Sequence, residues 1–218
     1  MIELLVAMVI ASIVLTAIGS TFQTQLKSYV TQQTVVDMQQ NARGGMYLVS
    51  REIRLAGYDP TGKADAGFQL AESGQVRFSM DLSEDGDIDD PGEVIWYRLQ
   101  NGNLERSDVN SGTGFQIAAL NVDALDFVYL DSDSNSMDDD VDPASPPHVI
   151  TFGRPRIRFV QVTLLTRGGR NEPVLTYKYR DTRSYENQQG DVILAAPNDK
   201  FRRIHLTTLV RCRNLGMQ

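Results

Sequence analysis

Seven carboxylates fall within the thirteen residues Asp81-Leu-Ser-Glu-Asp-Gly-Asp-Ile-Asp-Asp-Pro-Gly-Glu93. Charges at that density repel one another unless a cation or a set of N–H donors lies among them. The spacing suits a calcium loop. Asp81, Ser83, Asp85, the carbonyl of Asp87 and Asp89 place oxygen at alternate positions, and Gly86 stands at the sharp turn. The pattern departs at its twelfth position, where Gly92 replaces the bidentate acid and Glu93 follows one step late. The flanks read as strands, so this loop would lie outside a helix pair; the competing reading is a solvated acidic loop. A weaker candidate is Asp131-Ser-Asp-Ser-Asn135, where Asp131, Asp133 and Asn135 alternate but Ser136 takes the place of the glycine. With Asp138, Asp139, Asp140 and Asp142 following, that run also reads as a disordered acidic loop. Calcium is the one cofactor these residues suggest.

A different chemistry is open to Glu3. It is the single acid in the apolar run Met1-Ile-Glu-Leu-Leu-Val-Ala-Met-Val-Ile-Ala-Ser-Ile-Val-Leu-Thr-Ala-Ile18, which holds no Lys or Arg. A carboxylate kept within hydrocarbon points to function and to a partner charge. A secretory signal would open with positive charge, and this run does not.

Catalytic signatures do not emerge. His148 and His205 are the only histidines, in no zinc-ligand spacing, and neither a nucleophile elbow nor a phosphate-binding glycine loop is present. Cys212 is alone and reads as a small apolar strand residue. Trp96, Tyr97 and Tyr129 read as sheet packing. The net charge of -7 opposes a general nucleic-acid binder, which needs a basic face. The charge is uneven: residues 81–142 hold 17 acids against Arg98 and Arg106, and residues 143–218 hold 5 acids against 13 basic residues. Subunit docking would use such asymmetry, although most of these charges suit solvated faces.

Around these residues the pattern predicts one long helix followed by strands. The run to Ile18 is slightly short of the roughly 20 residues that span a bilayer. Beyond Gly19 a stripe continues through Phe22, Leu26 and Tyr29 to Val35, Met38, Ala42, Met46, Val49, Ile53 and Ala56 at steps of three and four. Gln23, Gln25, Gln32, Gln33, Gln39 and Gln40 give it a polar flank, and Gly57 and Pro60 stop it. Gly44-Gly45 marks a weak point or a close approach. Strands are expected at 76–79, 94–99, 122–130, 156–166, 174–180 and 204–213, with hairpins at Asn101-Gly102 and around 167–171. Residues 138–147 and 183–198 read as loops. The expected class is α+β, a long N-terminal helix packed on an antiparallel sheet, divided into residues 1–20, membrane-spanning, and a head of residues 21–218 with an amphipathic helix at 21–56 and a β-rich region at 61–218.

The opening Ile2-Glu3-Leu4-Leu5 and the apolar run after it resemble the N-terminal segment of type IV pilins and type II secretion pseudopilins. Further along, Gln39-Gln-Asn-Ala-Arg43 with Leu48-Val-Ser-Arg-Glu-Ile-Arg-Leu-Ala-Gly-Tyr58, the 81–93 loop, and Phe201 to Leu215 resemble minor pilins of the PilW type. Family members carry a short basic leader, a Gly and a Phe ahead of the apolar segment, so the resemblance leads us to expect a true start upstream of Met1.

The resemblance implies a pilin-like fold and a structural subunit, not an enzyme. It implies a minor pilin that starts or caps a type IV pilus, anchored once in the inner membrane with a periplasmic head and incorporated in the pilus. Glu3 would meet the terminal ammonium of a neighbouring subunit. Expected partners are other minor pilins, the major pilin, the inner-membrane assembly platform and, for the precursor, prepilin peptidase; nucleic acid is not among them. Two alternatives stay open: a minor pseudopilin of type II secretion, and an exported calcium-dependent binding protein or adhesin with a cleaved signal, for which Ala17-Ile-Gly19 would be the cleavage site.

Overall fold

A computed structural model describes residues 2–137, 156–168 and 179–215 of the chain. Helix α1 runs without a break from Ile2 to Ile53, with Glu3 in its first turn and Arg51 in its last, the charge order that suits the helix dipole. Sequence periodicity carried the helix to Ala56; it ends three residues sooner. There the amides of Leu55 and Ala56 donate to the carbonyls of Glu52 (2.9 Å) and Ile53 (3.1 Å), a tighter turn that unwinds the α-helix. Gly57 then takes φ of 77° and its amide leaves for Ser79. A side chain there would also strike Leu215 at 2.3 Å, so the end of the chain seals the helix stop.

Ten strands follow among the described residues: β1 Phe68–Ala71, β2 Gln75–Ser79, β3 Val94–Gln100, β4 Asn103–Asp108, β5 Phe115–Ala119, β6 Val122–Leu130, β7 Phe159–Arg167, β8 Tyr185–Glu186, β9 Val192–Leu194 and β10 Arg203–Arg211. They build a five-stranded sheet in the order β1-β2-β3-β4-β5, a three-stranded sheet β10-β7-β6 and the small β8-β9 hairpin, all paired antiparallel. The expected turn at Asn101-Gly102 is present, both residues having positive φ (51° and 70°), which matches the twist of β3 and β4. The expected strands at 76–79, 94–99, 122–130 and 204–213 are β2, β3, β6 and β10 to within two residues. Of the expected 156–166 and 174–180 hairpin, the first arm is β7, while residues 174–178 of the second, with 169–171 of the turn, lie outside the described residues.

Helix α1 crosses both main sheets, resting on β5 of one and on β7 and β10 of the other. Val49, Ile53 and Ala56 join Val76, Phe78, Tyr97, Val162, Leu164 and Val210 in one core. Apart from the small Ala56, each of these fully buried side chains contributes roughly 1.5–3 kcal/mol. Gly45 is the point of closest approach: a Cβ there would lie 2.9 Å from Ala119, whereas Gly44 faces open space. The stripe is buried only from Met38 onward; Phe22, Leu26 and Tyr29 stand in solvent, because the sheets do not reach that far down the helix.

Three stretches escaped the sequence reading. Strands β1 and β5 are short, and a register shift interrupts the pairing of each with its neighbour, which erases the alternation that marks a strand. Residues 183–198, expected as a loop, contain β8 and β9, whose Tyr185, Ile193 and Leu194 pack on Ala124 and Leu165. They cover the outer face of the three-stranded sheet, so β6 and β7 are buried on both sides along nearly their whole length.

Candidate assembly surface and acidic loop

The first half of α1 is a continuous exposed surface. From Ile2 to Tyr29 every residue is exposed, including fourteen large apolar side chains from Ile2 to Tyr29. A monomer rarely shows a contiguous apolar surface of this size without something to cover it. Among the described residues this is the one helix long and apolar enough to cross a membrane. Glu3 sits on its first turn, exposed among Ile2, Leu4 and Leu5, and inside hydrocarbon it would be an unneutralised charge. Side-chain hydroxyls at Ser12, Thr16, Ser20, Thr21 and Thr24 donate back to carbonyls three or four residues earlier, so the mildly polar positions of the run are satisfied within the helix.

The acidic loop between β2 and β3 is organised by two buried carboxylates. Asp81 is fully buried; its Oδ1 accepts the amide of Glu84 (2.6 Å) and its Oδ2 that of Gly86 (3.1 Å). Glu93, also buried, accepts the amides of Leu82 (2.9 Å) and Ser83 (3.0 Å) on one oxygen and of Asp90 (3.1 Å) on the other. Burial would push the Glu93 carboxyl up, but the amides of Ser83, Asp90 and Leu82 together with the Ser83 hydroxyl outweigh it and hold the group below its usual range. The chain thus wraps N–H donors around the two acids. Asp85 and Asp87 accept the amides of Asp87 (3.2 Å) and Asp89 (3.0 Å), and Asp85, Asp87 and Asp89 are exposed. The structure therefore brings Asp81, Ser83 and Glu93 together and leaves Asp85, Asp87 and Asp89 facing outward. Among the described residues no group of three or more His, Cys, Asp or Glu side chains converges as metal ligands.

At the weaker candidate, Asp131 accepts the amides of Asp133 (2.8 Å) and Asn135 (2.9 Å), which turns the chain so that Ser136 bridges back to Leu130. Asp133 is exposed, and Asp138, Asp139, Asp140 and Asp142 lie outside the described residues.

Two polar clusters were not found by sequence reasoning. Glu52 of α1 reaches across to the five-stranded sheet, where Arg106 donates to both of its oxygens and the Tyr97 hydroxyl donates at 2.5 Å. Its trace was an acid placed between the core positions Val49 and Ile53, with Arg106 one of two bases in an acid-rich stretch. At the other end of the head Arg203, almost wholly buried, donates to Asp123 (2.7 Å), Asp181 (3.1 Å) and Asp199 (2.6 Å). The Tyr185 hydroxyl donates to Asp181 at 2.6 Å; burial first, then this carboxylate, push the Tyr185 phenol up to about 12. This cluster ties β10 to β6 and to the 181–185 segment; Asp181–Tyr185 and Asp199–Arg203 are each spaced i,i+4, but Asp123 lies 80 residues from Arg203, and only the fold joins the three pieces. Cys212, just past the opposite end of β10, is buried in the fold's core, its thiol pushed up to about 12 by burial, as suits an inert packing residue.

A family model described as PpdB, prepilin peptidase-dependent protein B, matches residues 31–190. The match begins after the exposed apolar run, so that run and its acid are an observation independent of it. Among solved structures, a type IV-like pilin from Thermus thermophilus is similar, at 17% identity and a TM-score of 0.48, over 79% of this chain and 95% of that one. No curated protein matches the chain.

Proposed function

We propose, for a chain that belongs to the family of prepilin peptidase-dependent protein B, a minor pilin that helps to start or cap a type IV pilus. At the coarser level the chain is a pilin-like structural subunit of a pilus or pseudopilus, with an apolar N-terminal helix suited to membrane anchoring. The observation that carries the finer reading is the division of α1: its first half is bare apolar helix and its second half is fixed to the head at Gly45 and Glu52. In the membrane the bare half serves as anchor; in a filament, helices of neighbouring subunits take the place of lipid. Glu3 pairs with the terminal ammonium of a neighbour, which offsets burial of both charges and fixes register. The precursor is a substrate of prepilin peptidase, and the mature subunit contacts other minor pilins, the major pilin and the inner-membrane platform.

The experiment is deletion of the coding region, followed by counting surface pili and measuring type II secretion, with the full chain traced in sheared filaments. Loss of pili with secretion intact supports the reading; loss of secretion with pili intact replaces it by a minor pseudopilin. An intact mass lacking everything through Gly19 would instead mean a cleaved signal and an exported binding protein.

Calcium at residues 81–93 is a separate proposal. It is supported by the spacing of Asp81, Ser83, Asp85, the Asp87 carbonyl and Asp89, with Glu93 closing the loop.

A further inference from the structure

Strand β5 closes one side of the five-stranded sheet, and among the described residues no strand pairs with its outer edge. The direction of its backbone groups follows from its neighbours. The Val109 amide donates to the Val94 carbonyl (2.9 Å), so alternation along the antiparallel pair turns Ser107 and Glu105 toward β3 and Arg106 toward β5. Arg106 faces Gln116, which leaves the N–H and C=O groups of Phe115 and Ile117 directed away from the sheet. Past the register shift at Leu104/Glu105, Leu120 also turns outward, and there it meets Asn41 of α1. The Asn41 Nδ2 donates to the Leu120 carbonyl (2.6 Å), and its Oδ1 accepts the Leu120 amide (3.0 Å). One carboxamide thus takes the place of a neighbouring strand at Leu120. Among the described residues nothing does so at Phe115 and Ile117.

Edge strands are usually blunted by charge, by proline or by cover. Phe115-Gln-Ile-Ala-Ala-Leu120 holds neither charge nor proline, and Ile117 and Leu120 are 57% and 50% exposed. By contrast β10, at the edge of the other sheet, carries Arg203, His205 and Arg211. A groove of about 320 Å³ lies against the β5 edge, lined by Asn41, Ile117, Ala118, Ala119 and Leu120. Gly44 stands one turn beyond Asn41 on the same flank of α1, with nothing within 4 Å of the place its Cβ would take. Glycine weakens a helix interior relative to alanine, yet no contact among the described residues requires it at 44; the close approach to Ala119 belongs to Gly45.

We propose that the free edge of β5 is the docking site for an extended segment of a different protein, which joins the sheet as a further strand beside Gly44. The open N–H and C=O groups of Phe115 and Ile117 recognise extended backbone. The uncharged groove and the exposed Ile117 require uncharged, apolar side chains at alternate positions of the incoming segment. A second copy of the chain does not fit. Two copies paired antiparallel through β5 are related by a twofold axis normal to the sheet. Helix α1 lies along that sheet, so the two helices would run in opposite directions and could not enter one membrane together. That exclusion rests on the reading of the chain as a singly anchored pilin subunit; the open edge does not. An edge filled by a foreign strand ends the contact at one subunit, as suits a subunit that starts or caps a filament.

The test uses the full chain in detergent and, as probe, a labelled peptide of alternating valine and threonine ended by lysines, with binding followed by anisotropy. The same peptide with proline in place of every valine is the control, because it cannot donate along a ladder. Wild type should bind the first peptide and not the second, and binding should protect the amides of Phe115 and Ile117 from hydrogen exchange. Ile117→Pro, which deletes an outward N–H, and Gly44→Leu, which fills the notch, should each weaken binding by about tenfold or more. Gly44→Leu should melt no lower than wild type, which separates lost docking from lost folding. Unprotected amides at Phe115 and Ile117, equal binding of the proline peptide, or wild-type affinity in Gly44→Leu would overturn the site. Disulfide dimers of an Ile117→Cys chain in its native membrane would put a second copy in place of the foreign strand, Cys212 being buried. If the peptide fails to bind while deletion of the chain still removes pili, the docking site alone falls. If the peptide binds while deletion leaves pili and secretion intact, the pilin reading alone falls.

Discussion

Glu52 and Arg106 form a two-point ion pair between the helix and the five-stranded sheet, with Nε to Oε2 and Nη2 to Oε1 both at 2.9 Å. The Glu52 side chain is 10% exposed and that of Arg106 26%, so neither charge is left in free water. Burial acts against the Arg106 charge, but Glu52 more than offsets it and raises the guanidinium above its ordinary value. Glu52→Ala strands both Arg106 and the Tyr97 hydroxyl. The expected loss is about 3 kcal/mol, at the lower edge of what breaking a buried pair costs, because Arg106 retains some solvent. Urea denaturation read by Trp96 fluorescence measures it; a midpoint equal to wild type would show that the pair does not hold the helix.

Gly44 and Gly45 should respond in opposite directions. At Gly45 a Cβ meets Ala119 at 2.9 Å and Leu104 at 3.4 Å, so Gly45→Ala should destabilise the head by about 1–3 kcal/mol through overpacking. At Gly44 nothing lies within 4 Å, and Gly44→Ala should gain up to about 1 kcal/mol of helix propensity. Equal effects at the two positions would mean that the helix does not sit on β5 as described.

The head should remain folded after removal of everything before Val30. No side chain from Ile2 to Tyr29 is buried, so that cut takes away exposed helix alone. A cut after Ala42 removes Met38 and Ala42 from the interface and should give aggregating protein. Solubility and a cooperative melt for the shorter fragment would contradict the packing.

Acid should loosen the loop through Glu93. Its folded pKa is depressed, so its contribution to stability is complete above the ordinary glutamate value of about 4.3 and is lost as pH falls through the lower folded value. Asp181 and Asp199, held low by Tyr185, Arg203 and neighbouring amides against their burial, act in the same sense. The melting temperature should thus be flat from neutral pH to about 5 and fall below about 4. Glu93→Gln should melt lower at neutral pH with a shallower acid decline. An unchanged decline would place the acid sensitivity elsewhere, first at Asp181 and Asp199 around Arg203.

Calcium bound to residues 81–93 should raise the melting temperature more than magnesium does, since a flexible oxygen-rich loop suits the larger ion. Asp85→Ala with Asp89→Ala should remove the shift and leave the metal-free melting temperature unchanged or higher, the buried anchors Asp81 and Glu93 being intact. Absence of a shift in the wild type would leave the loop held by its N–H donors alone.

Much of this architecture follows from local physics already present in the sequence. An unbroken apolar run, a stripe at helical spacing and Gly57 with positive φ define α1 and its end, and Asn101-Gly102 defines the β3–β4 hairpin, because each is decided by neighbours within a few residues. Charge density and glycine position likewise marked the 81–93 loop. Tertiary structure alone decided where the stripe begins to be covered, since burial at Met38 and exposure at Leu26 depend on how far the sheets extend. It also decided that β8 and β9, too short for any periodicity, form strands over Leu165. Most of all it assigned the carboxylates: Asp81 and Glu93 turn inward to backbone amides, and Glu52 finds Arg106 fifty-four residues away. A sequence shows which acids are close together along the chain; which of them become desolvated, and what donor each then meets, is fixed only when distant segments pack.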